Sequence, residues 1–170
     1  MSLLTRFINN DMKTTIDYRL MLDNVRSVHN VGSIFRTAET LGISKIYCLG
    51  MTPTPVDRFG NRRKDFAKVS LGAEDSVAWE HVENTSALIK KLKREGFQVI
   101  ALEQSPDSID YKQVMPSSRA LIILGNEVDG VSKLLLKNAD VIAEIPMRGK
   151  KESLNVSVSA GIFLYRLLDR

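Results

Sequence analysis

The chain has 170 residues, 44% of them hydrophobic and 26% charged, with a formal net charge of +4. That composition excludes a disordered polar chain and gives enough length for one complete core. Its longest apolar runs, such as Leu121–Leu124, are too short to cross a bilayer. A lone cysteine, Cys48, cannot form an internal disulfide, and two histidines argue against a metal site.

The opening stretch MSLLTRFINND lacks the charged and apolar regions of an export signal, so a cytoplasmic protein is expected. Arg19–Asp23 reads as a first strand, and Gly32–Leu41 as a helix that Gly42 stops. Lys45–Leu49 is a second strand. A Pro-containing, basic connection then runs through Asp65, followed by an apolar patch at Ala67–Leu71. Thr85 or Ser86 is placed to cap a helix whose apolar face is Leu88, Ile89 and Leu92, ended by Gly96. Three more strands are expected at Phe97–Leu102, Ala120–Leu124 and Val141–Ile145, with a short helix at Val131–Asn138 and a closing helix from about Leu154 to Leu168. The strands are continuous apolar runs, as expected where helices cover both faces of a sheet. The fold class is therefore α/β with a mainly parallel sheet, in a single domain spanning 1–170.

Three junctions between strands and helices carry chemistry. Asn24–Ala38 leaves the first strand at its carboxyl end, where open α/β sheets bind ligands. In its helix Ile34, Ala38 and Leu41 form the apolar stripe. Arg36 lies roughly 200° around from Ile34, so it faces away from the core. The same residues also read as a surface arginine and a capping Asn. The second junction, Leu121–Ser132, nearly matches the phosphate loop GxxxxGK[ST], but Val131 stands where the lysine belongs. Glu127 and Asp129 would repel a phosphate, so the loop suits a neutral or cationic ligand, or equally a tight turn with Asp129 as helix cap. The third, Ile145–Ser157, runs from a strand through a charged loop into the last helix. No G-x-G-x-x-G follows a strand, and no nucleophile–His–acid set is present. Cys48 is read as a small core residue, His29 as a solvent-facing loop residue, and Trp79 and His81 as packing or surface.

Taken in order, Asn30-x-Gly32-x-x-x-Arg36-Thr, Leu124-Gly-Asn-Glu127-x-x-Gly130 and Ile145-Pro-Met-x-Gly149-x-x-x-Ser153-Leu-Asn155-Val-Ser157 resemble the three motifs of SpoU/TrmH-type RNA 2′-O-ribose methyltransferases of the SPOUT superfamily. The resemblance implies a C-terminal trefoil knot, one of the rare exceptions to unthreaded chains. It implies S-adenosylmethionine (AdoMet) held by Leu124, Gly125, Ile145, Met147 and Leu154, with Leu102 lining the adenine pocket. It makes Arg36 the catalytic arginine, with Asn30, Glu127, Ser153 and Asn155 orienting ribose, Arg36 and cofactor. Because a guanidinium keeps its proton in proteins, Arg36 is expected mainly to stabilise the developing alkoxide. The partner implied is tRNA or rRNA. The basic residues Arg58, Arg62, Arg63, Lys64 and Lys68, expected in one loop, are read as its grip on the RNA backbone or else as an ordinary solvated loop. Relatives act as homodimers, so the last helix, with Val156, Val158, Ile162, Phe163 and Leu167, is expected either at an interface or in the chain's own core. The competing expectation is a knotted RNA- or nucleotide-binding module without turnover.

Overall fold

A computed structural model describes residues 16–168. The reading of residues 1–11 as lacking an export signal lies outside the described residues. Among the described residues seven strands form one sheet: β1 (Asp17–Asp23), β2 (Lys45–Leu49), β3 (Ala78–Val82), β4 (Gln98–Leu102), β5 (Ile109–Asp110), β6 (Arg119–Gly125) and β7 (Val141–Glu144). Their order is β3-β2-β1-β6-β4-β7-β5, and every strand pairing is parallel.

Among the described residues six α-helices flank the sheet: α1 (Val28–Thr40), α2 (Lys64–Ser70), α3 (Ala73–Ser76), α4 (Thr85–Arg94), α5 (Lys133–Asn138) and α6 (Val156–Leu168). Successive strand residues point to opposite faces. On one face Leu20, Leu22, Ile122 and Leu124 pack with Ile34 and Phe35 of α1, Phe66 of α2, and Phe163 and Leu164 of α6. On the other, Met21, Leu121 and Ile123 pack with Ile89 and Leu92 of α4 and Leu135 of α5. This two-sided burial explains why the strands are continuously apolar. Cys48 is fully buried in the first cluster, and burial pushes its thiol up to about 12, which keeps it protonated and inert.

Several elements differ from the sequence expectation, each for a local reason. The basic connection after β2 ends sooner than expected, because Lys64 and Lys68 lie on α2 rather than in a loop. β3 is an edge strand whose AWEHV sequence buries only Val82 fully, so it carries no apolar run. Asn84, not Thr85 or Ser86, caps α4, its side chain accepting the Ala87 N–H at 3.0 Å. α5 starts at Lys133 behind Ser132, so Asp129 is not its cap; Asp129 instead lies 3.7 Å from the Arg26 guanidinium. α6 starts at Val156, two residues later than expected.

The last helix divides its apolar residues. Val156, Phe163 and Leu167 enter the chain's own core, whereas Val158 and Ile162 are 49% and 39% exposed. Among the described residues no helix is long and apolar enough to cross a membrane.

Candidate active site

The strand register brings the three sequence junctions to one edge of the sheet. Asp23 is level with Gly125, and Leu102 is level with both Leu124 and Ala143, so β1, β4, β6 and β7 all release their chains at the same carboxyl edge. The loop from Asn126 to Ser132 closes tightly there. Gly130 N–H donates to the Asn126 carbonyl at 3.1 Å, and the Asn126 side-chain oxygen accepts the N–H groups of Val128 and Asp129, both at 2.8 Å. Two carboxylates from strand ends pin this loop. Glu103 accepts the Val131 N–H at 2.7 Å, and Asp23 accepts the Ser132 N–H at 2.8 Å. Gly125 is required beneath it, because a Cβ would stand 2.2 Å from the Gly130 carbonyl carbon.

A cleft of about 310 Å³ opens between this loop and the segment after β7. All six residues expected to hold a cofactor line it: Leu102, Leu124, Gly125, Ile145, Met147 and Leu154. Glu127 and Ser153 line it as well. On its far side the Gln104 side chain donates to the Glu152 carbonyl at 2.6 Å, tying the exit of β4 to the charged loop. Four acidic residues, Glu103, Glu127, Glu144 and Glu152, line the cleft, and among the described residues no lysine or arginine does. Such a lining disfavours a phosphate and favours a ligand carrying positive charge. Glu103 and Glu144 escaped the sequence reading, although each ends or directly follows a strand at the ligand-binding edge.

Asn30 and Asn155 do not line the cleft but are bonded to its rim. Ser27 caps α1 and leaves Asn30 in its first turn. The Asn30 side-chain amide donates to Glu127, and its oxygen accepts from the Asn155 amide at 3.0 Å. The Asn155 oxygen in turn accepts the Ser157 N–H at 2.9 Å, which caps α6. One residue from each junction thus enters a single hydrogen-bonded chain, Glu127–Asn30–Asn155. Arg36 lies on α1 beyond Asn30, exposed as its helical position requires. Its guanidinium has no hydrogen-bond or ion-pair partner among the described residues, and it does not line the cleft.

The basic segment is less free than its sequence suggests. Arg62 pairs with Glu74 at 2.6 Å and Asp75 at 2.9 Å, and Arg63 pairs with Asp65 at 2.7 Å. Arg58 lies over the Phe59 ring, 4.7 Å from its centroid, and Lys64 is exposed on α2. Among the described residues no cluster of His, Cys, Asp and Glu has the arrangement of a metal site.

The family model described as the SpoU rRNA Methylase family matches residues 17–165. The 23S rRNA (guanosine-2′-O-)-methyltransferase RlmB of Neisseria meningitidis is 34% identical over 145 residues, which are 85% of this chain and 55% of that protein. The tRNA (guanosine(18)-2′-O)-methyltransferase of Aquifex aeolicus is 32% identical over 149 residues, covering 88% of this chain and 67% of that one. Among solved structures, an AdoMet-bound rRNA methyltransferase from Sinorhizobium meliloti superposes with a TM-score of 0.80 at 29% identity, over 89% of this chain and 55% of its own.

Proposed function

The chain belongs to the SpoU rRNA methylase family, and from that premise we propose that it transfers a methyl group from AdoMet to a ribose 2′-hydroxyl of tRNA or rRNA. The observation that carries the reading is the convergence of three distant segments, through Glu127, Asn30 and Asn155, on the rim of one acid-lined cleft.

The cleft fits the cofactor chemically. Leu102, Leu124, Ile145 and Leu154 offer apolar walls to a neutral adenine, and the surrounding carboxylates suit the ammonium and sulfonium groups. When bound, AdoMet supplies an electrophilic methyl whose transfer leaves a neutral thioether. The chain's own residues handle the hydroxyl. Arg36, with no partner among the described residues, holds the neighbouring phosphate and stabilises the charge that grows on the 2′-oxygen as its proton passes to solvent water. Asn30, fixed on both sides by Glu127 and Asn155, positions the ribose, and Ser153 adds a hydroxyl at the cleft wall. The knotted threading of segments 126–132 and 145–155 belongs to the same proposal; that both segments line one cleft supports it.

A homodimer completes the reading, acting in the cytoplasm, where the RNA is available. Val158, Ile162 and Tyr165 expose 39–50% of their surfaces along one side of α6, a stripe suited to a second copy. The test of function is to supply methyl-labelled AdoMet and cellular RNA, digest the product and locate the label. Label on ribose 2′-oxygens supports the reading. A folded, cofactor-binding protein that labels no RNA overturns it.

A further inference from the structure

Phe59 is 74% exposed at the tip of the loop after β2, whereas Phe35, Phe66, Phe97 and Phe163 are buried. The tip is held in shape. Asp57 accepts the N–H groups of Phe59 at 2.8 Å and Asn61 at 2.9 Å, and donates its own N–H to the Asn61 carbonyl at 2.9 Å. Gly60 N–H returns to the Asp57 carbonyl at 3.0 Å, and Val56 bridges Arg62 at the base. The Arg58 guanidinium covers one side of the Phe59 ring, 4.7 Å from its centroid. A ring so exposed keeps its other side open to solvent.

The neighbouring cations are occupied differently. Arg62 and Arg63 are engaged by Glu74, Asp75 and Asp65, while Arg58 has no carboxylate partner among the described residues. What this loop presents is therefore an aromatic face backed by one guanidinium. It also leaves the sheet edge that carries the site: Met51 N–H donates to the Asn24 side chain at 3.1 Å, and Val25 N–H to the Thr52 hydroxyl at 3.1 Å, joining the exits of β1 and β2.

We propose that Phe59, backed by Arg58, is a stacking platform for an unpaired nucleobase of the RNA substrate. The inference rests on the methyltransferase reading for the identity of the partner. An aromatic ring accepts any base whose face is free, and the stacked guanidinium adds cation–π attraction and lies close to the strand's phosphates. Bases held inside a duplex offer no such face, so the platform selects loops and single strands. The side chain is remote from the core, so changing it leaves folding and cofactor binding alone.

The test compares binding of a mixed-sequence single-stranded oligoribonucleotide with binding of the same strand annealed to its complement. Phe59→Ala is expected to weaken the single strand by about ten-fold, leaving the duplex unchanged. Phe59→Leu, which keeps apolar bulk without a ring, should weaken it similarly, and Phe59→Tyr should restore it. In Phe59→Trp the added emission, read above the lone natural Trp79, should be quenched by the single strand. Unchanged affinity in Phe59→Ala, or full recovery in Phe59→Leu, overturns the proposal. So does a change in the sedimentation of free Phe59→Ala protein with RNA affinity intact, which would assign the ring to a protein contact. Methyl transfer measured in parallel separates the two readings. Stacking without transfer removes the enzyme and keeps the platform; transfer with RNA affinity and KM unaltered in Phe59→Ala does the reverse.

Discussion

Asn155 donates its side-chain amide to Asn30 across 3.0 Å, joining residues 125 positions apart. The same Asn155 caps α6 through its oxygen. The two tasks are separable by chemistry. Asn155→Asp keeps an acceptor for the Ser157 N–H but cannot donate to Asn30, and it brings a further carboxylate toward Glu127. We expect an unchanged Tm with methyl transfer reduced about ten-fold or more. Asn155→Ala loses both tasks and should also destabilise the protein by about 1 kcal/mol. Thermal melts beside single-turnover transfer rates distinguish the variants, and equal loss of stability in both would show that the Asn30 link, not the cap, carries the stability.

Gly125→Ala tests the tight return of the Asn126–Ser132 loop over the end of β6. The added methyl would meet the Gly130 carbonyl carbon at 2.2 Å and the Val131 nitrogen at 2.3 Å, and both are backbone atoms. Neither can swing aside as a side-chain tip would. The loop must lift, at a cost of about 1–3 kcal/mol, and the cleft wall moves with it. Calorimetric titration should show AdoMet affinity falling by a larger factor than the change in Tm alone would suggest. Intact affinity would place the cofactor elsewhere.

Glu74 gives a pH signature. Burial acts to raise its carboxyl, but hydrogen bonds from Ser70 and Arg62 outweigh that and hold it below its ordinary value. A lowered folded pKa means a stabilising contribution that is present at neutral pH and lost as pH falls through the lowered value. Asp17, Asp57 and Asp65 are lowered too, so the acid limb is shared. Glu74→Gln should lower the urea midpoint at pH 7 and flatten, without abolishing, its decline toward acid pH. A wild-type slope in that variant would mean that the Arg62–Glu74 contact contributes nothing to stability.

How much of this was legible in the sequence depends on burial. β1, β2, β4 and β6 are readable because both of their faces are covered, which gives each an apolar run; β7 shows a shorter run of which only Ala143 is fully buried. β3 and the two-residue β5 sit at the sheet edges, where half-exposed residues such as Trp79, Glu80 and Ile109 blur the pattern. α2 buries only Phe66 and Ser70 in seven residues, too little to mark a helix against a run of charges. At the site, helical period alone turns Arg36 outward, and the motif resemblance supplies the lining of the cleft. The Glu127–Asn30–Asn155 chain is a product of parallel register, which places ends of distant strands side by side and leaves no local trace. The pairing of Arg62 with Glu74 is hidden for a similar reason: it spans a helix and a turn, so a cation that reads as free for RNA is already engaged.

The most direct measurement is methyl transfer to RNA by the wild type and by Arg36→Ala at saturating AdoMet, with cofactor affinity determined calorimetrically for both. The account predicts label on ribose 2′-oxygens, a fall of about 100-fold or more in the single-turnover rate of the variant, and an unchanged Kd for AdoMet. Near-normal turnover by Arg36→Ala with intact cofactor binding, or label found on bases rather than ribose, would contradict it.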